Sequence, residues 1–208
     1  MHKRSFNLYL LLASLLPKVA IAQAVPAPSS TKRVEIKNDR AYLGGNEIKL
    51  WGIRGGNALM SPAVTERFVR NFDNMAAHGI NGFIVTLMGT NTGWPEEWAA
   101  RNGFESDGRL KPATAKRLEW LIREADQRGM VVGVTVFTPR NVANMQGDDA
   151  FKRSLQETGR FLKERGLRNV FVDVMHEYNH RRGWYYDWVR DNVGRWVYPK
   201  HVPAKAAS

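Results

Sequence analysis

The sequence predicts an α/β fold in which helices cover a parallel β-sheet, and three observations support this prediction. Three segments with helical patterning end at a glycine, namely Gly79, Gly129 and Gly166, and an apolar run follows each one directly. Glycine readily adopts the left-handed backbone conformation that ends a helix. The apolar runs lack polar alternation, which is typical of strands buried on both faces of a parallel sheet. The order of elements therefore indicates consecutive βαβ units.

The first 32 residues are predicted to precede this fold. Residues 1–24 have the features of a secretory signal peptide: Lys3 and Arg4, then an apolar run, then the small residues Ala20, Ala22 and Ala24. The run is too short to span a bilayer, so we expect a secreted or periplasmic protein with no membrane contact after cleavage. An uncleaved N-terminal anchor is the alternative. Residues 25–32 are rich in Pro and Ser and are predicted to be a linker.

The next segment is predicted to form a β-hairpin that leads into the sheet. Val34–Ile36 alternates with period two, Gly44-Gly45 supplies a turn, and an apolar run returns from Ile48 to Trp51. The stretch Leu50–Ile53 is counted as the first strand of the parallel sheet. The hairpin and this strand precede the first predicted helix.

Three helices are predicted between the strands, each with one apolar stripe. The first begins at Ser61-Pro62, a capping residue followed by a proline at the first helical position. The stripes consist of Phe68, Phe72, Met75 and Ala76; of Leu118, Leu121, Ile122 and Ala125; and of Phe151, Leu155, Phe161 and Leu162. An open doubly wound sheet and a (β/α)8 barrel both fit this order. Gly55-Gly56 follows the first strand without Rossmann or Walker spacing, which argues against a dinucleotide-binding sheet.

Composition excludes several classes of function. The chain has no cysteine, so disulfides, thiolate metal sites and cysteine nucleophiles are excluded. The net charge is +11, but the basic residues are scattered and form no recognised nucleic-acid module, so no nucleic-acid partner is predicted. His176 and His180 are four residues apart but do not fit a zincin helix, and neither a metal nor a cofactor is predicted.

Candidate site residues lie where the predicted strands end, because functional groups of parallel α/β folds gather there. The candidates are Arg54, Asn57, Trp94, Trp98, His176, Glu177 and Asn179. A carboxyl group can protonate a glycosidic oxygen, and flat aromatic side chains can support sugar rings. The residues alone leave structural roles open: an ion pair of Glu177 with Arg181 or Arg182, packing of the two tryptophans, and turn or capping roles for Arg54 and Asn57.

Several segments, taken in order, resemble the N-terminal half of a clan A glycoside hydrolase similar to family 5. They are the hairpin and strand from Ala41 to Arg54, the segment from Asp107 to Val132, and the strand from Asn169 to Glu177. The resemblance implies a (β/α)8 TIM barrel that is truncated after about four βα units and occupies residues 33–198, with a disordered tail at 199–208. His176 stands where the family usually has an asparagine.

The resemblance also implies a function. Glu177 would be the acid/base residue of a retaining glycosidase, and His176, Asn179, Arg54, Asn57, Trp94 and Trp98 would bind a carbohydrate substrate. The family takes its nucleophile from the seventh strand, so a homodimer or a complementing second half is expected to supply it. The alternative is a non-catalytic carbohydrate-binding or assembly protein.

Overall fold

The computed structural model describes residues 29–90, 102–138 and 145–176 of the chain. The predicted signal peptide (1–24) and the predicted tail (199–208) lie outside the described residues. Within the described ranges, a three-stranded antiparallel sheet precedes a four-stranded parallel sheet. None of the helices in these ranges is both long and apolar enough to cross a membrane.

The antiparallel sheet lies in the segment of the predicted hairpin, but it has three strands, and the last of them covers Asn46–Ile48 and not the predicted Ile48–Trp51. Its strands are β1 (Val34–Lys37), β2 (Arg40–Leu43) and β3 (Asn46–Ile48), paired in the order β1-β2-β3. The turn at Gly44-Gly45 is confirmed, with φ values of 59° and 88°. A second turn at Asn38-Asp39, with φ values of 50° and 61°, was not predicted. Two adjacent residues with positive φ suit the tight turn of a two-residue hairpin, and Asn and Asp tolerate that conformation best after glycine.

The parallel sheet confirms the alternation of strand and helix. It consists of β4 (Gly52–Arg54), β5 (Gly82–Thr86), β6 (Val131–Phe137) and β7 (Val170–Met175), in the order β4-β5-β6-β7. The first parallel strand begins later than predicted. Leu50 and Trp51 precede it, and Trp51 is 70% exposed.

Four helices lie in the described part of the chain: α1 (Pro62–Arg70), α2 (Phe72–Ala77), α3 (Pro112–Gln127) and α4 (Gly147–Glu164). Ser61 caps α1 as predicted, and its hydroxyl accepts a hydrogen bond from the backbone N–H of Val64 at 3.3 Å. The first predicted helix is in fact two helices that meet at Asn71, and Ala76 of its predicted stripe is exposed. The stripe predicted for α3 is confirmed, because all four of its residues are fully buried.

The core lies between the helices and one face of the parallel sheet. Phe83 and Val85 of β5 and Val132 and Val134 of β6 point to this face and belong to one buried cluster with the helix stripes. On the opposite face, the ring of Phe171 lies over Gly133 and remains 41% exposed. Side chains alternate across a strand, so the sheet buries one face against helices and leaves its other face more open.

Residues 29–32, at the end of the predicted linker, dock against the start of β7. Thr31 is buried, and its hydroxyl oxygen accepts hydrogen bonds from the backbone nitrogens of Arg168 at 2.6 Å and Asn169 at 3.2 Å. The backbone nitrogen of Lys32 donates to the carboxylate of Asp126 at 2.9 Å. These bonds satisfy backbone N–H groups at the amino-terminal edge of the sheet, which burial would otherwise leave unpaired.

Candidate functional site

The carboxyl ends of the four parallel strands meet at one edge of the sheet. Backbone hydrogen bonds connect this edge from strand to strand: Gly55 N–H donates to Ile84 O at 2.8 Å, Leu87 N–H to Thr135 O at 2.9 Å, and His176 N–H to Phe137 O at 3.1 Å. The edge is therefore a continuous rim. Arg54, Asn57 and His176, three of the predicted site residues, lie on it.

Arg54 and His176 are in direct contact. Nη2 of Arg54 lies 2.6 Å from Nε2 of His176, although 122 residues separate them in the chain. Arg54 is the last residue of β4, and His176 follows the last residue of β7. The contact therefore brings together the two outer strands of the sheet at its carboxyl edge.

Asn57 joins two loops of the rim. Its side-chain Oδ1 accepts a hydrogen bond from the backbone N–H of Thr90 at 2.7 Å, which connects the loop after β4 to the loop after β5. Gly56 lies beside the same threonine, since a Cβ added there would be 3.1 Å from Thr90 Cγ2. The hydroxyl of Thr138, after β6, donates to Gly89 O at 2.9 Å. Asn57 thus has a structural role at this edge, whatever it binds in addition.

Sequence reasoning did not select one polar pair beneath the rim. Asp173 of β7 accepts a hydrogen bond from the hydroxyl of Thr135 in β6 at 2.8 Å, and the two residues are partners in the strand register. The signal was a single carboxylate inside an apolar strand. Locating its partner required the register between two strands, which the sequence alone does not provide.

A cavity of about 480 Å³ lies beside Arg54, between the loop after β4 and helix α1. Its polar lining consists of Arg54, Asn57, Arg67, Asn71 and Thr90, and its apolar lining includes Ala58, Val64 and Phe68. No carboxylate lies among the described residues that line it. The described lining of the cavity is therefore basic, and part of it comes from Arg54 at the end of β4.

The remaining predicted site residues, Glu177, Trp94, Trp98 and Asn179, lie outside the described residues. Their placement stays a prediction. Among residues 29–90, 102–138 and 145–176, no three His, Asp or Glu side chains come together as a group able to hold a metal ion.

Comparison with known proteins gives matches among solved structures. No protein-family model and no curated protein matches the chain. A protein of Bacteroides vulgatus assigned as a glycoside hydrolase aligns with a TM-score of 0.62 and 15% identity, over 79% of this chain and 36% of that one. β-Mannanases from the blue mussel Mytilus edulis and from Cryptopygus antarcticus align at TM-scores of 0.47 and 0.49, each with 16% identity over 71% of this chain.

The chain spans 36% of the length of the Bacteroides protein and 46% and 44% of the two mannanases. At 15% identity, the alignment with the Bacteroides protein shows a shared fold and nothing further. It agrees with the observed topology, a four-stranded parallel sheet in the order β4-β5-β6-β7 with helices between its strands in the chain. The described part of the chain shares its α/β fold with part of the Bacteroides protein, and the structural resemblance predicted from the sequence is confirmed.

Proposed function

We propose that this protein is a glycoside hydrolase of (β/α)8-barrel type that cleaves O-glycosidic bonds in an oligosaccharide or polysaccharide by a retaining mechanism. The contact between Arg54 and His176 is the observation that carries the proposal. It supports a site at the carboxyl edge of the sheet, with polar side chains from the two outer strands converging there. Glu177, the residue after His176, is the proposed acid/base.

In the proposed reaction, Glu177 protonates the glycosidic oxygen while a second carboxylate attacks the anomeric carbon. The bond to the leaving sugar breaks as a covalent glycosyl–enzyme forms. Glu177 then removes a proton from water, which attacks the same carbon and releases the carboxylate. The two carboxyl groups of a retaining site lie about 5–5.5 Å apart.

The source of the second carboxylate is part of the proposal. Asp173 is the carboxylate that β7 itself carries, and its Oδ2 is bound to the hydroxyl of Thr135 below the rim. We therefore assign the nucleophile to a further strand of the barrel, contributed by a second copy of the chain or by a complementing half.

Hydrolysis of aryl glycosides of glucose, mannose and galactose tests the proposal. Glu177→Gln keeps the size of the side chain but cannot donate or accept the proton, so the rate is expected to fall by about 10²–10⁴. Glu164→Gln at the end of α4 is the matched control, because Glu164 is exposed and precedes the start of β7, whereas the rim lies at the end of that strand. If the wild type turns over no substrate either as a homodimer or together with a complementing half, the hydrolase proposal fails.

A non-catalytic assembly or carbohydrate-binding role is the second candidate, and one observation favours it. Phe171 and Val172 of the edge strand β7 are 41% and 44% exposed, which is unusual for large apolar residues of a parallel strand. An edge strand with exposed apolar residues tends to pair with another chain. Saccharide binding measured by calorimetry without turnover, or a complex without turnover, would support this role.

A further inference from the structure

The contact between Arg54 and His176 crosses most of the parallel sheet. The strand order β4-β5-β6-β7 places two strands between the residues. Neighbouring strands lie about 4.8 Å apart, so the outer strands are separated by about 14 Å along the sheet. The side chains of Arg54 and His176 extend toward each other across this distance and meet at 2.6 Å. The contact is thus specific to this pair of positions.

The chemistry of the two groups determines which atom carries the proton. A guanidinium remains protonated in proteins and offers only N–H donors. Nε2 of His176 must therefore act as the acceptor of the hydrogen bond. A ring nitrogen that accepts has no proton, and a neutral imidazole then carries its proton on Nδ1.

We infer that Arg54 is a positioning residue that holds His176 as the neutral imidazole with its proton on Nδ1. The described charged groups that β4 and β7 place on this side of the sheet near the contact are Arg54 and Asp173, and Asp173 is bound to Thr135. In these two strands, Arg54 is the group that opposes a second positive charge on His176. The ring consequently presents an N–H donor on its other nitrogen.

The consequence for catalysis rests on the proposed function. Glu177 must carry a proton when it acts as the acid, and a neighbouring cation favours its ionised form. A neutral imidazole at the preceding residue adds no positive charge to that of Arg54. Arg54 thereby disfavours a second cation at His176, which would favour the ionised form of Glu177.

Imidazole tautomers are distinguished by long-range ¹H–¹⁵N correlation spectra of the full chain at about pH 8, above the ordinary titration range of histidine. The imidazole signal that disappears in the His176→Asn variant belongs to His176. The wild-type signal is expected to show the Nδ1–H pattern. Arg54→Met, which removes the donor, should lose this pattern, and Arg54→Lys, which keeps an obligate donor, should retain much of it.

Arg67→Met is the matched control, because Arg67 lines the same cavity without being the partner in this contact. A wild-type spectrum with the proton on Nε2, or an unchanged Nδ1–H pattern in Arg54→Met, would overturn the inference. The spectra need no substrate, so failure of hydrolysis leaves this test intact. If the enzyme is active, Arg54→Met should lower kcat about tenfold with little change in KM.

Discussion

The ring of Phe171 in β7 lies over the backbone of Gly133 in β6. A Cβ added to Gly133 would be 2.6 Å from Phe171 Cζ and 2.9 Å from Ile84 Cγ1, closer than real contacts allow. We predict that Gly133→Ala lowers the free energy of unfolding by about 1–3 kcal/mol, because the ring must move out of its position. Denaturant unfolding measures the change.

Two controls make this prediction specific. In a Phe171→Ala background, Gly133→Ala should cost less, because the ring is gone and only the contact with Ile84 Cγ1 remains. Gly159 in α4 has nothing within 4 Å of an added Cβ, so Gly159→Ala should instead stabilise the protein by about 0.5–1 kcal/mol. Equal losses at both glycines would contradict the packing explanation.

Thr31 is expected to contribute to the stability of the folded chain. Its hydroxyl oxygen is the acceptor for the backbone nitrogens of Arg168 and Asn169. Thr31→Val keeps the shape but removes this acceptor, and it should lower the free energy of unfolding by about 1–3 kcal/mol because two N–H groups lose their partner. Thr31→Ser keeps the hydroxyl and should stay within about 0.5 kcal/mol of the wild type. A neutral Thr31→Val variant would mean that the two hydrogen bonds to the Thr31 hydroxyl do not contribute to stability.

The sequence was sufficient to predict those elements that local patterns determine. The strands after Gly79, Gly129 and Gly166 and the buried stripe of α3 were predicted because a helix stop and an apolar period lie within a few residues of each other. The break at Asn71 was missed because the apolar spacing continues across it from Phe68 to Phe72. The spacing of apolar residues indicates which face of a helix is buried. It does not indicate where the backbone hydrogen bonds of the helix are interrupted.

The site was less accessible to sequence reasoning. Arg54 and His176 were both selected as strand-end residues, but nothing local indicates that they touch across the two strands between them. Asn57 was predicted to bind substrate, and its contact with Thr90 depends on how two loops meet. Contacts of this kind follow from the register and curvature of the sheet, which no short motif encodes.

The loop before α3 should respond to acid. Hydrogen bonds from the backbone and side chain of Arg109, together with the charge of Arg153 in α4, hold the pKa of Asp107 below its usual value of 3.8. A lowered pKa means that the folded state favours the carboxylate. Its contribution to stability is therefore complete well above pH 3.8 and is lost as the pH falls through the lowered pKa. Asp107→Asn should melt at a lower temperature than the wild type at pH 7, and the difference should shrink toward pH 2.

In the same loop, a substitution at Gly108 changes the backbone geometry without changing a charge. Its φ is 90°, and an added Cβ would lie 2.1 Å from Ala150 O. Gly108→Ala should therefore lower the melting temperature at every pH. A loss for Asp107→Asn that is equally independent of pH would contradict the electrostatic explanation.

Two copies of the chain are expected to assemble through the edge of β7. Val172 is 44% exposed on this strand, and Gly52, Ile53 and Arg54 of β4, at the other edge of the sheet, are also exposed. If two copies complete a barrel, β7 of one pairs with β4 of the other, and light scattering should give twice the mass of a single chain. Val172→Lys places a charge at the proposed β7–β4 interface between the two copies and should restore the single-chain mass. Ile36→Lys is the matched control, because Ile36 is 67% exposed but belongs to the antiparallel sheet. A wild type with the mass of one chain at all concentrations would exclude the homodimer, and the nucleophile would then have to come from a complementing half.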